Sequence, residues 1–155
     1  MASRKIEDLT TRTREKYQMF STCMAKAGIP FDVTCTSRTD LEQVALYCQG
    51  RVSLRTVNRI RRLAALPLIM TKENAHRVTW TLKSRHIVHD DRPLSDAFDI
   101  ALMRDKQIHW DIKADVNDNE IPDYLEAAKI AQECGLVAGA FFKGKPDYCH
   151  FQDTD

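Results

Sequence analysis

The sequence lacks a large net charge of either sign. Its 23 basic and 22 acidic side chains leave a formal charge of +1, which gives no overall field to steer the chain toward nucleic acid or an anionic membrane. We therefore expect no nucleic-acid partner. One short stretch, residues 51–62, is locally basic, and we interpret it as the solvated face of a helix. The alternative is a surface that binds nucleic acid or the anionic cell envelope. The arginines of this stretch are Arg51, Arg55, Arg59, Arg61 and Arg62.

Long apolar runs are also missing. The longest, such as residues 63–70, fall well short of the roughly 20 residues that a membrane-spanning helix needs. The first residues, Met-Ala-Ser-Arg-Lys-Ile-Glu-Asp-Leu, contain no apolar core of a secretory signal. We expect neither stable membrane insertion nor an export signal.

The cysteines do not form a recognisable framework. There are 5 of them, an odd number, and no two are spaced as Cys-x-x-Cys, which argues against a disulfide scaffold and against a thiolate zinc knuckle. Reduced, mostly buried thiols are the expected state; they are Cys23, Cys35, Cys48, Cys134 and Cys149.

The overall composition is that of a globular protein. Hydrophobic residues make up 43% of the chain and charged residues 29%, the usual balance for a chain that buries a core. A length of 155 residues suits one domain and is short for two, so a single domain over residues 1–155 is predicted. No internal repeat or low-complexity tract is present.

Four helices are predicted from apolar spacing and end signals. The first covers residues 8–27 and ends at Gly28. The second begins at a capping box, with Thr39 as N-cap and Glu42 three residues later, and ends at Gln49 before Gly50. The remaining two cover residues 53–65 and 122–134.

Four strands are predicted from residues that favour extended structure, over residues 31–36, 78–82, 96–103 and 148–152. They mix with the helices without a regular strand–helix–strand rhythm. This order favours an α+β fold, in which an antiparallel sheet is flanked by helices.

Three segments carry residues that bind metals. They contain His86 after Ser84, Asp99 in the third predicted strand, and His150 after Asp147. A lone histidine is usually a hydrogen-bonded structural residue. Two histidines and one carboxylate from separate elements, however, suit a catalytic zinc ion, which takes three protein ligands and leaves one position open.

These segments resemble the zinc D-alanyl-D-alanine carboxypeptidase and L-alanyl-D-glutamate endopeptidase family, which includes VanY-like enzymes and phage endolysins. That family's pattern is Ser-x-His-x-x-Gly-x-Ala-x-Asp, followed near the C-terminus by Asp-x-x-His-Phe. An upstream block, residues 36–51, resembles the family's Ser-x-Arg-Thr, Glu-Gln and Leu-Tyr-x-x-Gly-Arg motifs. The resemblance spans roughly residues 9–152. The matching residues are Ser84-x-His86, Ala97-x-Asp99 and Asp147-x-x-His150-Phe151.

The resemblance implies a role for each site residue. His86, Asp99 and His150 would be the zinc ligands. Asp147 would be the general base that takes a proton from the attacking water and passes it to the leaving amine. Arg38 would bind substrate or stabilise the developing oxyanion. The implied fold is that of hedgehog domains and D-Ala-D-Ala peptidases.

Ser84 would support the first histidine or touch the substrate. Strand alternation requires Asp147 to lie in a turn before the last strand if it is to share a site with His150.

The chain departs from the pattern between its first two ligands. The family has seven positions from His to Asp, whereas His86 and Asp99 are 13 apart. We expect the additional residues, within 87–95, to form a longer surface loop, because added loop length costs little free energy. Asp99 rather than Asp96 should then be the ligand.

A second candidate metal site lies at residues 115–126, which copy several ligand positions of a calcium-binding loop. Glu120 stands where such a loop needs glycine and Pro122 interrupts it. A polar loop that caps the following helix is the preferred interpretation.

The predicted function is hydrolysis of the L-alanyl-D-glutamate bond of peptidoglycan stem peptides by a monomeric, zinc-dependent, phage-type endolysin. Such an enzyme would wait in the host cytoplasm for holin-dependent release and act in the periplasm and cell wall. Two alternatives remain: a D-alanyl-D-alanine carboxypeptidase or dipeptidase, and a non-catalytic phage structural or binding module that keeps the fold.

Overall fold

A computed structural model describes residues 2–155. It contains five α-helices, two short 3-10 helices (Ile6–Asp8 and Gly139–Phe141) and five strands in an α+β arrangement, which confirms the predicted fold class. The helices are α1 (Thr11–Ala27), α2 (Asp40–Cys48), α3 (Leu54–Leu63), α4 (Thr71–Asn74) and α5 (Asp123–Glu133). The strands are β1 (Phe31–Cys35), β2 (Ala97–Arg104), β3 (Gln107–His109), β4 (Val137–Ala138) and β5 (His150–Gln152).

The helix ends follow the predicted signals. Gly28 ends α1 with a φ of 73°, a left-handed conformation that costs glycine little. At the start of α2, Thr39 Oγ1 accepts from the Glu42 backbone N–H at 3.2 Å. The Thr39 N–H in turn donates to Glu42 Oε2 at 2.8 Å. This reciprocal pair is the predicted capping box, and it fixes the chain just after Arg38.

Strand β2 organises the sheet. The strand order is β1-β2-β5-β4, with β3 also paired to β2, and every pairing is antiparallel. The register places Asp99 of β2 opposite Cys35 of β1 on one side and opposite His150 of β5 on the other. Residues far apart in sequence are thereby brought to one point in the middle of the sheet.

The core lies between one face of the sheet and the helices α1 and α5. Because side chains alternate along a strand, Phe98, Ile100 and Leu102 share one face of β2, and all three are fully buried. Phe20 of α1 packs on this face, 5.0 Å between ring centroids from Phe151. Asp99 belongs to the opposite set of β2 positions, so the core does not cover its carboxylate.

Two predicted features are wrong. Residues 78–82 were predicted as a strand but adopt irregular structure, because their polar groups bond to side chains rather than to a neighbouring strand. Gln43 Nε2, for example, donates to the Thr81 carbonyl at 2.7 Å. Arg61, predicted on the solvated face of α3, is only 8% exposed and donates to the Pro67 carbonyl. Arg55, Arg59 and Arg62 are exposed as predicted.

The extra residues between His86 and Asp99 form a surface turn, as predicted. His89 and Arg92 exchange two backbone hydrogen bonds of 2.9 and 3.0 Å, with the exposed Asp90 and Asp91 at the tip. The Val88 N–H donates to the Arg38 carbonyl at 3.0 Å. The insertion therefore closes on itself. Among residues 2–155, no helix has the length and hydropathy needed to cross a membrane.

Buried Asp153 ties the C-terminus to α1. Its carboxylate accepts from Arg12 Nε at 2.6 Å and from Lys16 Nζ at 2.9 Å, and the residue is 1% exposed. Burial raises the pKa of Asp153, but the hydrogen bonds, chiefly that from Lys16, outweigh it and leave the pKa below its ordinary value.

Asp153→Asn is expected to lower the free energy of unfolding by about 1–3 kcal/mol at neutral pH. A depressed pKa stabilises the fold above the unfolded-state pKa, and this contribution is lost as pH falls through the folded-state pKa. The difference between variant and wild type should therefore shrink in acid, which urea titrations at several pH values would measure. Asp155→Asn is the matched control, since Asp155 contacts Lys16 but is 75% exposed. An equal loss in the control would contradict the prediction.

Candidate metal centre and active site

The three predicted metal ligands meet at one point. His86 Nε2 lies 3.0 Å from Asp99 Oδ1 and 3.2 Å from His150 Nδ1. His150 Nδ1 lies 3.0 Å from the same Asp99 oxygen. In a tetrahedral zinc site with bonds of about 2.0–2.1 Å, ligand atoms are about 3.3 Å apart. The two nitrogens and one oxygen are thus spaced closely enough to share a metal ion.

Each histidine is oriented by its other ring nitrogen. His86 Nδ1 lies 2.9 Å from the Thr36 carbonyl oxygen, which can only accept, so this nitrogen carries the proton. His150 Nε2 lies 2.9 Å from Gln152 Oε1 and has the same role there. With a metal ion bound, each ring would therefore use its other nitrogen, unprotonated, as the ligand atom beside Asp99. Such outer partners fix the tautomer and ring orientation of metal-binding histidines.

The titration behaviour of the cluster reflects its tight packing. Burial raises the pKa of Asp99, but the neighbouring His86 and the hydrogen bond from His150 have a larger, opposite effect. The net pKa therefore lies well below its usual range. Burial lowers the pKa of His150, but the hydrogen bond and charge of Asp99, together with smaller contributions from Gln152 and Asp147, outweigh burial and raise the net pKa. Asp99 is accordingly an anion at neutral pH, as a metal ligand must be.

Arg38 is bound to the cluster rather than directed freely into solvent. Its Nη2 donates to Asp99 Oδ2 at 3.1 Å and its Nη1 to Gln43 Oε1 at 3.3 Å. Its backbone N–H donates to the His86 carbonyl at 2.9 Å. Arg38 thus occupies one oxygen of Asp99 and leaves the other to the histidines. It also lines the cavity described below, so its predicted role toward substrate stays a prediction.

Asp147 lies before β5, in the turn position that sharing a site with His150 requires. It is exposed, and its Oδ1 accepts from Cys149 Sγ at 3.0 Å. Its carbonyl accepts from the His150 N–H at 3.3 Å. Gly139 packs directly against this turn: a Cβ there would clash with the Asp147 carbonyl oxygen and crowd the His150 side chain. The missing side chain lets the turn lie where it does.

Ser84 lies next to the first histidine, and its predicted role in supporting His86 or touching the substrate stays a prediction. Its Oγ accepts from the His86 N–H at 3.3 Å. The competing carboxylate, Asp96, is engaged elsewhere: it accepts from Thr10 Oγ1 at 3.0 Å and lies 3.7 Å from Arg92. The structure therefore brings Asp99, and not Asp96, to the histidines.

Cys35 is the neighbour that the sequence analysis did not connect to the site. Cys35, His86 and Asp99 offer donor atoms within 4.8 Å of one another, a group able to hold a metal ion. The Cys35 thiol is 3.7 Å from His86 Nδ1, the nitrogen that already bonds to Thr36. Burial raises the pKa of this thiol to about 11, and the His86 nitrogen that meets Asp99 and His150 is the other one, Nε2. We favour His150 as the third ligand.

A cavity of about 620 Å³ opens onto this cluster. One wall is the irregular segment 77–85, and the other is the loop that leads from Phe142 to His150. Its volume lies within the range of small-molecule and peptide sites. A substrate in the cavity would meet the metal ligands, Arg38 and Asp147 together.

The second candidate metal site, at residues 115–126, is a hydrogen-bonded loop. Both carboxylate oxygens of Asp115 accept backbone N–H groups, from Asn119 and Glu120. Glu126 Oε2 accepts from Asn117 and Asn119. These carboxylate oxygens are thus paired within the loop, whereas Asn117 Oδ1 and Asp123 Oδ1 are buried without a hydrogen-bond partner among residues 2–155. The predicted capping role is wrong, because the N-cap residue of α5 is Pro122 and no described side chain caps the helix there.

Comparison with known proteins supports the fold. No family model matches the sequence, and no curated protein matches it significantly. Among solved structures, the chain is similar to the crystal structure of the L-Ala D-Glu endopeptidase ChiX of Serratia marcescens, with a TM-score of 0.57 and 17% sequence identity. The match covers 99% of this chain and 89% of that protein. The chain therefore has the peptidase-like α+β fold that its motifs predicted.

Proposed function

We propose that the protein is a zinc-dependent peptidase of the phage endolysin type that hydrolyses the L-alanyl-D-glutamate bond of peptidoglycan stem peptides. The observation that carries the proposal is the convergence of His86, Asp99 and His150 beside a cavity that also contains Asp147. The shared fold with a protein described as an L-Ala D-Glu endopeptidase supports it. Two imidazoles and one carboxylate are a donor set typical of catalytic zinc, with the fourth position left open.

In this proposal, Asp147 and Arg38 have different roles in the reaction. Zinc, when bound, supplies a Lewis acid for the peptide carbonyl and makes the attacking water more acidic. Asp147, exposed to the cavity, accepts the proton of that water and returns it to the leaving amine. Arg38 holds Asp99 by one oxygen and places a fixed positive charge near the carbonyl oxygen, where negative charge develops.

Incubation of purified peptidoglycan with the zinc-loaded protein tests this proposal. We expect mass spectrometry to show stem peptides that begin with D-Glu, and glycan strands that end their stems at L-Ala. The matched control is the His86→Ala, His150→Ala double variant, which should release nothing because it loses two ligands.

The alternatives give different products. Release of terminal D-Ala would indicate a carboxypeptidase. Unchanged peptidoglycan, with zinc bound, would indicate a non-catalytic module, and either result would reject the proposed bond.

A further inference from the structure

Positive charge is concentrated in the cavity, although the chain as a whole is nearly neutral. Five basic side chains line it, against the carboxylates of Asp99 and Asp147; the five are Arg38, Arg77, Lys83, Arg85 and Lys145. Arg38 is paired with Asp99 at 3.1 Å, and Arg85 lies 3.9 Å from Asp96. Within residues 2–155, none of the ion pairs involves Arg77, Lys83 or Lys145. These three cations border the cavity without a protein counter-charge.

Trp80 holds two of these cations in place. Lys145 Nζ lies 3.4 Å from the centroid of its ring, and the Arg77 guanidinium carbon lies 5.6 Å from it, both within cation–π range. The ring is half exposed. The segment that carries Trp80 is held in place by the hydrogen bond from Gln43 to the Thr81 carbonyl. The two walls of the cavity meet at this contact, so the cations are positioned before any ligand binds.

The position of Lys145 relates this basic wall to one part of a substrate. Lys145 precedes Asp147 by two residues on the same loop. In the proposed reaction Asp147 protonates the leaving amine, so the residue on the amine side of the cut bond lies beside this loop. In an L-Ala-D-Glu bond that residue is glutamate, which has two carboxyl groups. The peptide continues through one of them, and the other remains a free carboxylate.

We propose that Lys145 and Arg77, positioned by Trp80 and assisted by Lys83, form a subsite for the free carboxylate of the residue on the amine side of the cut bond. This assignment rests on the proposed function. It specifies which substrate group the enzyme recognises next to the bond that it cuts. Charge-assisted hydrogen bonds to a carboxylate are about twice as strong as neutral ones. The subsite therefore discriminates a free acid from its amide.

The test compares two peptides that differ in one group. One is the tripeptide L-Ala-D-Glu-L-Lys amide, linked through the glutamate side-chain carboxyl; the other carries a carboxamide in place of the free carboxylate. Binding is measured in the zinc-loaded Asp147→Asn variant, which should keep its metal without cleaving the peptides, and calorimetric titration should show about tenfold tighter binding of the acid. Lys145→Met should abolish that preference. Lys143→Met is the matched control, because Lys143 is exposed on the same loop but does not line the cavity.

Binding of the two peptides tests the proposed subsite, and cleavage of the same peptides by the wild type tests the proposed reaction. Equal affinity for both peptides in the Asp147→Asn background, including no affinity for either, overturns the subsite, as does an equal loss of preference when Lys143→Met is added. Acid-selective binding without cleavage of either peptide keeps the subsite and rejects the peptidase. Cleavage without any preference keeps the peptidase and rejects the subsite.

Discussion

Asp99→Ala is expected to weaken zinc binding by about 100-fold or more. The substitution removes the one anionic ligand from a site whose other two donors are neutral imidazoles. It also leaves Arg38 without its ion-pair partner, 3.1 Å away, so a positive charge would then face the metal. Competition with a chromophoric chelator at neutral pH would measure the affinity, and metal analysis of the wild type should give about one zinc per chain.

Asp96→Ala is the matched control for this prediction. Asp96 is three residues earlier on the same segment, but its carboxylate bonds to Thr10 rather than to a histidine. We expect its zinc affinity to stay within about threefold of wild type, since a residue outside the site has little effect on it. Asp90→Ala and Asp91→Ala, at the exposed tip of the insertion, should also be neutral. A large loss in Asp96→Ala would show that the ligand was assigned to the wrong carboxylate.

Asp147→Asn should reduce kcat by about 10²–10⁴-fold while the protein retains its metal. The amide keeps the size of the side chain but cannot accept the proton of the attacking water, and removal of a general base typically costs this much. Asp147 supplies none of the three atoms that meet at the metal site, so zinc affinity should hardly change. Steady-state kinetics on a stem tetrapeptide and zinc titration of the same preparation would supply both numbers.

Asp91→Asn serves as the control for Asp147, because it removes an exposed carboxylate outside the cavity. It should have wild-type kcat and KM. Loss of zinc in Asp147→Asn would make Asp147 a ligand or a structural residue. Undiminished turnover would exclude it from the proton transfer.

The sequence predicts the regular elements where local chemistry determines them. The Thr39–Glu42 capping box and Gly28 are such cases, because the signal and the hydrogen bonds involve the same few residues. The β2–β3 hairpin was missed for the opposite reason. Its turn uses Asp105 and Lys106, both at positive φ (52° and 63°), whereas glycine or asparagine normally marks such turns.

The candidate site likewise combines features that the sequence predicts with features that it does not. The resemblance to the family's ordered motifs selected His86, Asp99 and His150, and the structure brings them together. Their orienting partners could not be predicted, because they depend on strand register. Cys35 is opposite Asp99 in the sheet, and the Thr36 carbonyl that holds His86 comes from the chain just after it. The strand predicted at residues 78–82 does not form because the side chains of Arg51 and Gln43 bond to the carbonyls of Thr79 and Thr81. Composition does not reveal these contacts with residues distant in sequence.

The self-closed turn at His89–Arg92 has a consequence for recognising related chains. His86 is held by the Thr36 carbonyl and Asp99 by its strand, whereas the tip of the chain between them, residues 89–92, forms no hydrogen bond with either ligand. The length of that chain is therefore free to drift during evolution while the ligands stay fixed in space. A search pattern that demands a set number of residues between the two ligands will pass over chains like this one. A pattern that fixes their structural partners, and lets the interval vary, will find them.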